Sequence, residues 1–187
     1  IGKVKWPEFL QQRLKKKVGK VILIPDYLKM HKKMVGDVNI ENDSKGFLYS
    51  ADMGEVVGKH PGAHFYTIGQ RKGLAIGGMN KPLFVIETDI KNNIIYVGEG
   101  EKHYGLFRSA LRADKKKMHH IIPGFDLTKY NNLFARIRYR QPLQAVKIEL
   151  FENFYILSFR VKQKSIAKGQ FVAIYSDNCV VSSGVID

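Results

Sequence analysis

Apolar and polar residues alternate most regularly in the second half of the chain. Val146, Ile148 and Leu150 alternate with Lys147 and Glu149, and Tyr155, Leu157, Phe159 and Val161 alternate with Ser158 and Arg160. Successive side chains of a strand point to opposite faces, so a period of two predicts half-buried strands. The same period puts Arg136, Arg138 and Arg140 on one face of a strand and Ala135, Ile137 and Tyr139 on the other. Residues 171–175 and 179–186 add further strands. Short strands at regular spacing, with no helices between them, predict a small antiparallel β-barrel.

The first half also reads as β, in shorter pieces. Strands are predicted over residues 21–24, 55–57, 63–68, 83–88, 94–97 and 106–111, bounded by Gly, Pro or Asn, with Lys91-Asn92-Asn93 as a hairpin turn. Ahead of them, residues 6–14 carry a helical pattern. Pro7 suits a first-turn position, Phe9, Leu10 and Leu14 share a face, and Lys15, Lys16 and Lys17 complement the C-terminal end of the dipole. Residues 25–50 are polar, mixed in sign and without period, and read as an insertion; residues 114–124, with Lys115-Lys116-Lys117 and Pro123-Gly124, read as an inter-domain connection. The predicted fold class is therefore mainly β. It has two small β-rich domains, residues 1–111 and 112–187, the second an antiparallel β-barrel, and a short N-terminal helix.

Charge narrows the partners. Lys and Arg number 31 against 17 Asp and Glu, a formal charge of +14, which favours a polyanion, nucleic acid foremost. A membrane surface ranks below it, because no long basic amphipathic helix with an aromatic face is present and no apolar run approaches the roughly 20 residues that span a bilayer. The single cysteine, Cys179, excludes an internal disulfide and a zinc site built on several cysteines. A soluble, cytoplasmic protein is expected. The start at Ile1, without Met, suggests that an upstream portion is missing, and an organelle stays open because a targeting peptide would lie there.

The stretch richest in candidate chemistry runs from Tyr66 to Gly78. Gly69, Gly73, Gly77 and Gly78 permit left-handed backbone and close approach, while Gln70, Arg71 and Lys72 offer donors suited to phosphate oxygens. A nucleotide cradle would need a helix after the glycines, but the residues beyond Gly78 are strand-like with Pro82 among them, so no nucleotide site is expected. No metal site is expected either: His60 and His64 are spaced for a helix that Pro61 and Gly62 oppose, and His119 and His120 would point to opposite faces. Cys179 has no His or Asp partner nearby in sequence, and no catalytic residue is assigned in this chain.

His60-Pro61-Gly62 followed by Tyr66-Thr67-Ile68-Gly69-Gln70-Arg71-Lys72-Gly73-Leu74 resembles the signature of the tRNA-specific 2-thiouridylases, the MnmA family. Val97-Gly98-Glu99-Gly100, Ile137-Arg138-Tyr139-Arg140-Gln141-Pro142, Gly169-Gln170-Phe171-Val172-Ala173-Ile174-Tyr175 and Ser183-Gly184-Val185-Ile186 agree in order. The resemblance covers nearly the whole chain but only the family's central and C-terminal domains. It implies a missing N-terminal domain that uses ATP, with Mg, to adenylate the wobble uridine of tRNA, and a cysteine persulfide, charged by a sulfur-relay donor protein, that thiolates C2. The family's second catalytic cysteine would fall a few residues upstream of Ile1, so this portion is expected to be inactive alone.

The resemblance implies tRNA contacts at Arg138, Tyr139 and Gln170, and the alternation adds Arg136 and Arg140 to that surface. The bland alternative makes Tyr139 a barrel-core aromatic and Gln170 a solvated turn residue. Gln70, Arg71 and Lys72 are further RNA-binding candidates that serve equally for packing against the catalytic half. Ala75, Ser182-Ser183-Gly184 and the insertion depart from the family pattern. The rival readings are a non-enzymatic RNA-binding or translation-factor-like β-barrel protein, and a small-molecule barrel enzyme with Tyr66 to Gly78 as its ligand loop.

Overall fold

The computed structural model describes residues 15–26 and 40–187, which fall into two compact units: residues 15–26 with 48–106, and residues 40–47 with 107–187. The helix predicted over residues 6–14 lies outside the described residues, as does the middle of the expected insertion.

The first unit is built on a four-stranded sheet in the order β2-β1-β4-β3, from β1 (Gly19–Leu23), β2 (Glu55–His60), β3 (Leu83–Asp89) and β4 (Ile94–Glu99). β1 runs parallel to β4, and the other neighbours are antiparallel. The β3–β4 hairpin turns where predicted: Asn93 adopts a left-handed φ of 56°, and the Asp89 carboxylate accepts from Asn92 at 2.9 Å. Asn93 then does a second job. Its buried side chain accepts from the Ala63 N–H at 3.0 Å and donates to the Lys17 carbonyl at 2.9 Å, pinning two approaching segments to one hairpin. Val21, Val85, Ile95 and Val97 form the core with Leu74 and Leu83, each buried aliphatic side chain contributing about 1.5–3 kcal/mol. At Gly98 a β-carbon would lie 2.4 Å from the buried His103 ring, so glycine is required there.

The strand expected over residues 63–68 does not form. β2 stops at His60, Gly62 takes a φ of 154°, and Ala63–Phe65 is a single 3-10 turn, so the chain leaves the sheet at the Pro-Gly pair. Beyond it the residues from Tyr66 to Gly78 contain no strand, because Gly69, Gly73, Ala75 and Gly78 all have positive φ.

The second unit carries a seven-stranded antiparallel sheet in the order β5-β9-β8-β7-β10-β11-β6. Its strands are β5 (Phe107–Asp114), β6 (His119–His120), β7 (Leu133–Arg136), β8 (Gln144–Phe151), β9 (Phe154–Lys164), β10 (Phe171–Ser176) and β11 (Cys179–Val185). The sheet curls until Ala113 bridges Ile186, which gives the predicted antiparallel barrel. Asp187 fastens the seam: its N–H donates to the Arg112 carbonyl at 3.0 Å, and its carboxylate accepts from the Arg112 guanidinium. Inward-facing Leu111, Leu133, Ala135, Ile148, Leu157, Val172, Ile174 and Val181 fill the interior.

β5 belongs wholly to this second sheet, so the backbone divides after Leu106 rather than after Leu111. Residues 114–124 are part of the barrel and not a connection to it: Asp114 caps the 3-10 turn Lys115–Lys117, and β6 pairs with Ser182 and Ser183. The end of the expected insertion is also structural. It forms α1 (Ile40–Lys45), whose Asp43 carboxylate accepts from both the N–H and the hydroxyl of Ser109, while buried Arg108 donates to the Ser44 and Ile166 carbonyls. Among the described residues, no helix is long and apolar enough to cross a membrane.

His60 gives the first unit a pH response. The imidazole is buried, with Nδ1 accepting from the Gly62 N–H at 3.0 Å, and burial holds its pKa below the ordinary 6.5. Below pH 6.5 the unfolded chain therefore binds a proton that the folded unit refuses, so this contribution is complete above pH 6.5 and is lost as the pH falls toward the folded value. Denaturant titrations of the parent and of His60→Gln should show the parent losing stability as the pH falls below the ordinary 6.5, with a flatter profile in the variant. Parallel profiles would count against His60 as the titrating group.

Candidate nucleic-acid interface

One rim of the barrel gathers most of the candidate residues. β7 ends there, β8 begins, β9 ends and β10 begins, so the β7–β8 connection (residues 137–143) and the β9–β10 connection (residues 165–170) lie side by side. In the first of these the chain cannot stay extended, because β8 must start at Gln144 opposite Ala135. It turns instead: Arg140 takes a left-handed φ of 65°, the Gln141 N–H donates to the Arg138 carbonyl at 3.2 Å, and the Gln141 side chain accepts from the Ile137 N–H at 3.1 Å.

This turn corrects one expectation and removes the alternative reading of Tyr139. Arg136, Arg138 and Arg140 do not share a strand face, since β7 pairs only as far as Arg136 and the other two ride on the connection. Tyr139 is no core aromatic; it is 89% exposed, with the Arg140 guanidinium 5.3 Å from its ring centroid. Arg138, on the other side, donates from Nη2 to the Ser165 carbonyl at 2.8 Å, which fixes its stem and leaves further donors of the guanidinium for a ligand. Arg136 faces out from β7 beside Ala173, packs its guanidinium over the Tyr175 ring at 5.4 Å, and holds its Nε buried without a hydrogen-bond partner.

Gln170 closes the neighbouring connection. Its N–H donates to the Ala167 carbonyl at 3.3 Å and its carbonyl accepts from the Ile186 N–H at 2.8 Å, across a turn in which Gly169 has a φ of 80°. The Gln170 backbone is thus committed, while its half-buried side chain makes no hydrogen bond to a described residue. Phe171 was not among the sequence candidates. It is 66% exposed at the first position of β10, next to Gln170 and at the end of the sheet where β7 stops. The period of two carried that signal, because Val172 and Ile174 facing inward require Phe171 to face out.

Gln70, Arg71 and Lys72 belong to the first unit, and the structure separates their roles. The Gln70 side chain is consumed within its own turn: Oε1 accepts from the Thr67 N–H at 3.2 Å and Nε2 donates to the Lys72 carbonyl at 2.9 Å. Its backbone and that of Gly69 bond to Val85 of β3, which anchors the loop to the sheet. Burial pushes the Tyr66 phenol up, keeping it a neutral donor, and its hydroxyl bonds the Gly73 carbonyl at 3.2 Å. Arg71 and Lys72 stand exposed, without a described carboxylate partner. An open groove of about 550 Å³ runs beside the loop, lined by Arg71 and by residues 73–83. Among the described residues no cluster of three or more His, Cys, Asp or Glu could hold a metal ion, and Cys179 is exposed at the β10–β11 turn.

Comparisons with known proteins also part the chain close to the start of β5, although the first match takes in residues 40–47, which pack with the second unit. Residues 32–99 match the family model described as tRNA methyl transferase PRC-barrel domain, and residues 108–186 match that described as Aminomethyltransferase beta-barrel domain. The whole chain aligns with proteins named tRNA-specific 2-thiouridylase MnmA: 43% identity to that of Christiangramia forsetii and 43% to that of Flavobacterium johnsoniae, covering 49% of each, and 38% to that of Karelsulcia muelleri, covering 48%. The chain belongs to the MnmA family. It spans about half the length of these relatives and is the β-domain portion of the family's fold. The second MnmA domain match begins at residue 108, within one residue of the start of β5. The first begins at residue 32, so most of residues 25–50, which the sequence alone sets apart as an insertion, lies within that domain match.

The loop geometry separates shape from contact in the MnmA signature. Gln70→Ala should lower the stability of the first unit by about 1 kcal/mol, since two turn hydrogen bonds go with it, whereas Arg71→Ala should leave stability within about 0.5 kcal/mol. Thermal or denaturant unfolding decides; equal losses for both would show that the Gln70 side chain does not hold the turn.

Proposed function

We propose that this chain is the tRNA-docking portion of a tRNA-specific 2-thiouridylase, and that the barrel rim bearing Arg138, Tyr139, Arg140 and Gln170 is where RNA binds. One observation carries the reading: Tyr139 stands almost fully exposed on a turn whose backbone is tied down, with an arginine on either side of it in sequence. An exposed aromatic is a poor choice for a solvated surface and a good platform for an unpaired base, and guanidinium groups pair with phosphate or stack on bases. The charge of +14 supplies the long-range attraction. Phe171 and the free side-chain amide of Gln170 extend the same surface.

ATP, Mg and persulfide sulfur find no fitting residues among those described. The described α-helix has six residues and follows no glycine-rich loop, no carboxylate cluster suits a divalent ion, and the single cysteine lies at an exposed hairpin turn. Adenylation of the wobble uridine and thiolation at C2 are therefore assigned to the part of the protein beyond this chain, served by a sulfur-relay donor, in the cytoplasm where tRNA is met. On this reading the isolated chain binds tRNA and does not thiolate it. The rival of a barrel outside any modifying enzyme explains the charge but gives no reason for the family match along the whole chain.

Fluorescence anisotropy with labelled tRNA, across a salt series, tests the proposal. Tyr139→Ala should cost about 1–3 kcal/mol of binding, the range of one lost base stack, with little change in salt slope. Arg138→Ala should weaken binding and reduce the slope of log affinity against log salt by roughly 0.7 to 0.9, as one phosphate contact does. Parental affinity and slope in both variants would overturn the assignment of RNA to this rim.

A further inference from the structure

Gln163 has a position that neither the barrel nor the charge explains. It is a polar side chain only 4% exposed, near the end of β9, beside a core of aliphatic and aromatic side chains. Its placement results from a break in the sheet. Between Ala110 opposite Ser158 and Arg108 opposite Gln163, β5 advances two residues while β9 advances five, so residues 160–162 bulge into solvent and Gln163 returns to the inside. β8 and β9 have parted by then, their last pair on this side being Val146 with Phe159.

Side-chain amides bridge the gap. Gln141 accepts from the Ile137 N–H at 3.1 Å, so the oxygen of its amide is fixed by a backbone donor and its nitrogen must point onward. That nitrogen donates to Gln163 Oε1 at 2.7 Å. Gln163 in turn donates from Nε2 to the Val161 carbonyl at 2.6 Å and, more loosely, to Gln144 Oε1 at 3.4 Å. The relay starts on a backbone N–H and ends on a backbone C=O, so only one orientation of each amide satisfies it. The other flank of the connection is held by the same strand end: Ser165, buried and left-handed at a φ of 58°, turns its carbonyl to Arg138.

We propose that Gln163, acting through Gln141, is the positioning residue that holds Tyr139 for stacking on an unpaired base of RNA. The inference rests on the reading of this rim as the RNA-binding surface. A turn with one residue in a left-handed conformation and an aromatic almost wholly in water gains little packing of its own. The relay supplies the missing order, so the stacking residue is presented in one place before RNA arrives and the cost of ordering it on binding falls. Gln163 touches no RNA in this scheme, and its effect passes entirely through the connection.

The test is a double-mutant cycle on tRNA affinity, with Gln163→Met, which keeps the volume and removes the amide, and Tyr139→Ala. Gln163→Met should weaken tRNA binding about tenfold without changing the salt slope, speed hydrogen exchange at the Ile137 amide, and cause no further loss in the Tyr139→Ala background. Gln141→Leu, at the more exposed end of the relay, should behave the same way and serves if Gln163→Met does not fold. Parental affinity in the relay variants while Tyr139→Ala binds weakly would overturn the positioning role and leave the docking reading intact. Additive losses would likewise overturn it, since they would show Gln163 acting by another route. Parental affinity in Tyr139→Ala itself would overturn the docking reading and this inference with it.

Discussion

The pairing of β9 is the constraint on which the second unit depends. β9 is the longest described strand, hydrogen-bonded to β8 along its first half and to β5 on its other side, and it joins the seam strand to the rest of the barrel. Tyr155, Leu157 and Phe159 face inward while that pairing is regular. Past Phe159 the strand must satisfy β5 alone, and the bulge over residues 160–162 absorbs the mismatch in length. A bulge costs ladder bonds, which have to be replaced if the neighbouring groups are buried. Here the Val161 carbonyl accepts from the Gln163 amide, which is tied in turn to Gln141 and Gln144, so the irregularity in β9 is linked to the neighbouring turn.

This explains which parts were legible in the sequence. Alternation reported the strands wherever two neighbours paired without interruption, as in β8, the first part of β9, and β10 with Val172 and Ile174 inside. It failed where pairing ended. Val161 continues the alternating pattern and yet is 66% exposed, because it sits on the bulge; Arg138, Tyr139 and Arg140 continue it and yet lie on a turn. The reading over residues 63–68 failed for a local reason, the Pro-Gly pair ahead of it, whose backbone departs from the strand region. Neither a bulge nor a sheet edge has a period, so a pattern of two cannot announce its own end. The family resemblance singled out Arg138, Tyr139 and Gln170 independently of that alternation, and it carried no information on Gln163, whose bond to Gln141 spans over 20 residues of sequence.

Electrostatics and stacking divide the work of such a surface in different ways. A charge of +14 spread over the chain attracts any polyanion and distinguishes little among them. Discrimination between paired and unpaired nucleotides needs a flat apolar face that only an unstacked base can cover, and Tyr139 and Phe171 supply two such faces on one rim. Arg138 belongs to both classes. Its Ser165 bond fixes where the charge stands, so on the docking role proposed above it is a placed phosphate partner and not one more mobile cation.

The two loops that carry the family's signature residues solve the same problem by the same means. In the first unit Gln70 uses both ends of its amide to hold the turn between Thr67 and Lys72, and in the second Gln141 holds the turn from Ile137. In each case the glutamine faces into the loop and leaves cationic neighbours, Arg71 and Lys72 or Arg138 and Arg140, on the outside. A loop without a core of its own would otherwise lose conformational entropy each time a partner orders it, about 1–2 kcal/mol for each residue fixed. A side-chain amide is well suited to prevent that, because it carries donor and acceptor together and can bridge two backbone groups that face in opposite senses. The turn therefore accounts for glutamine at these positions and leaves the flanking cations open to a partner, so a motif that looks like one basic patch separates physically into a scaffold residue and the charges it carries.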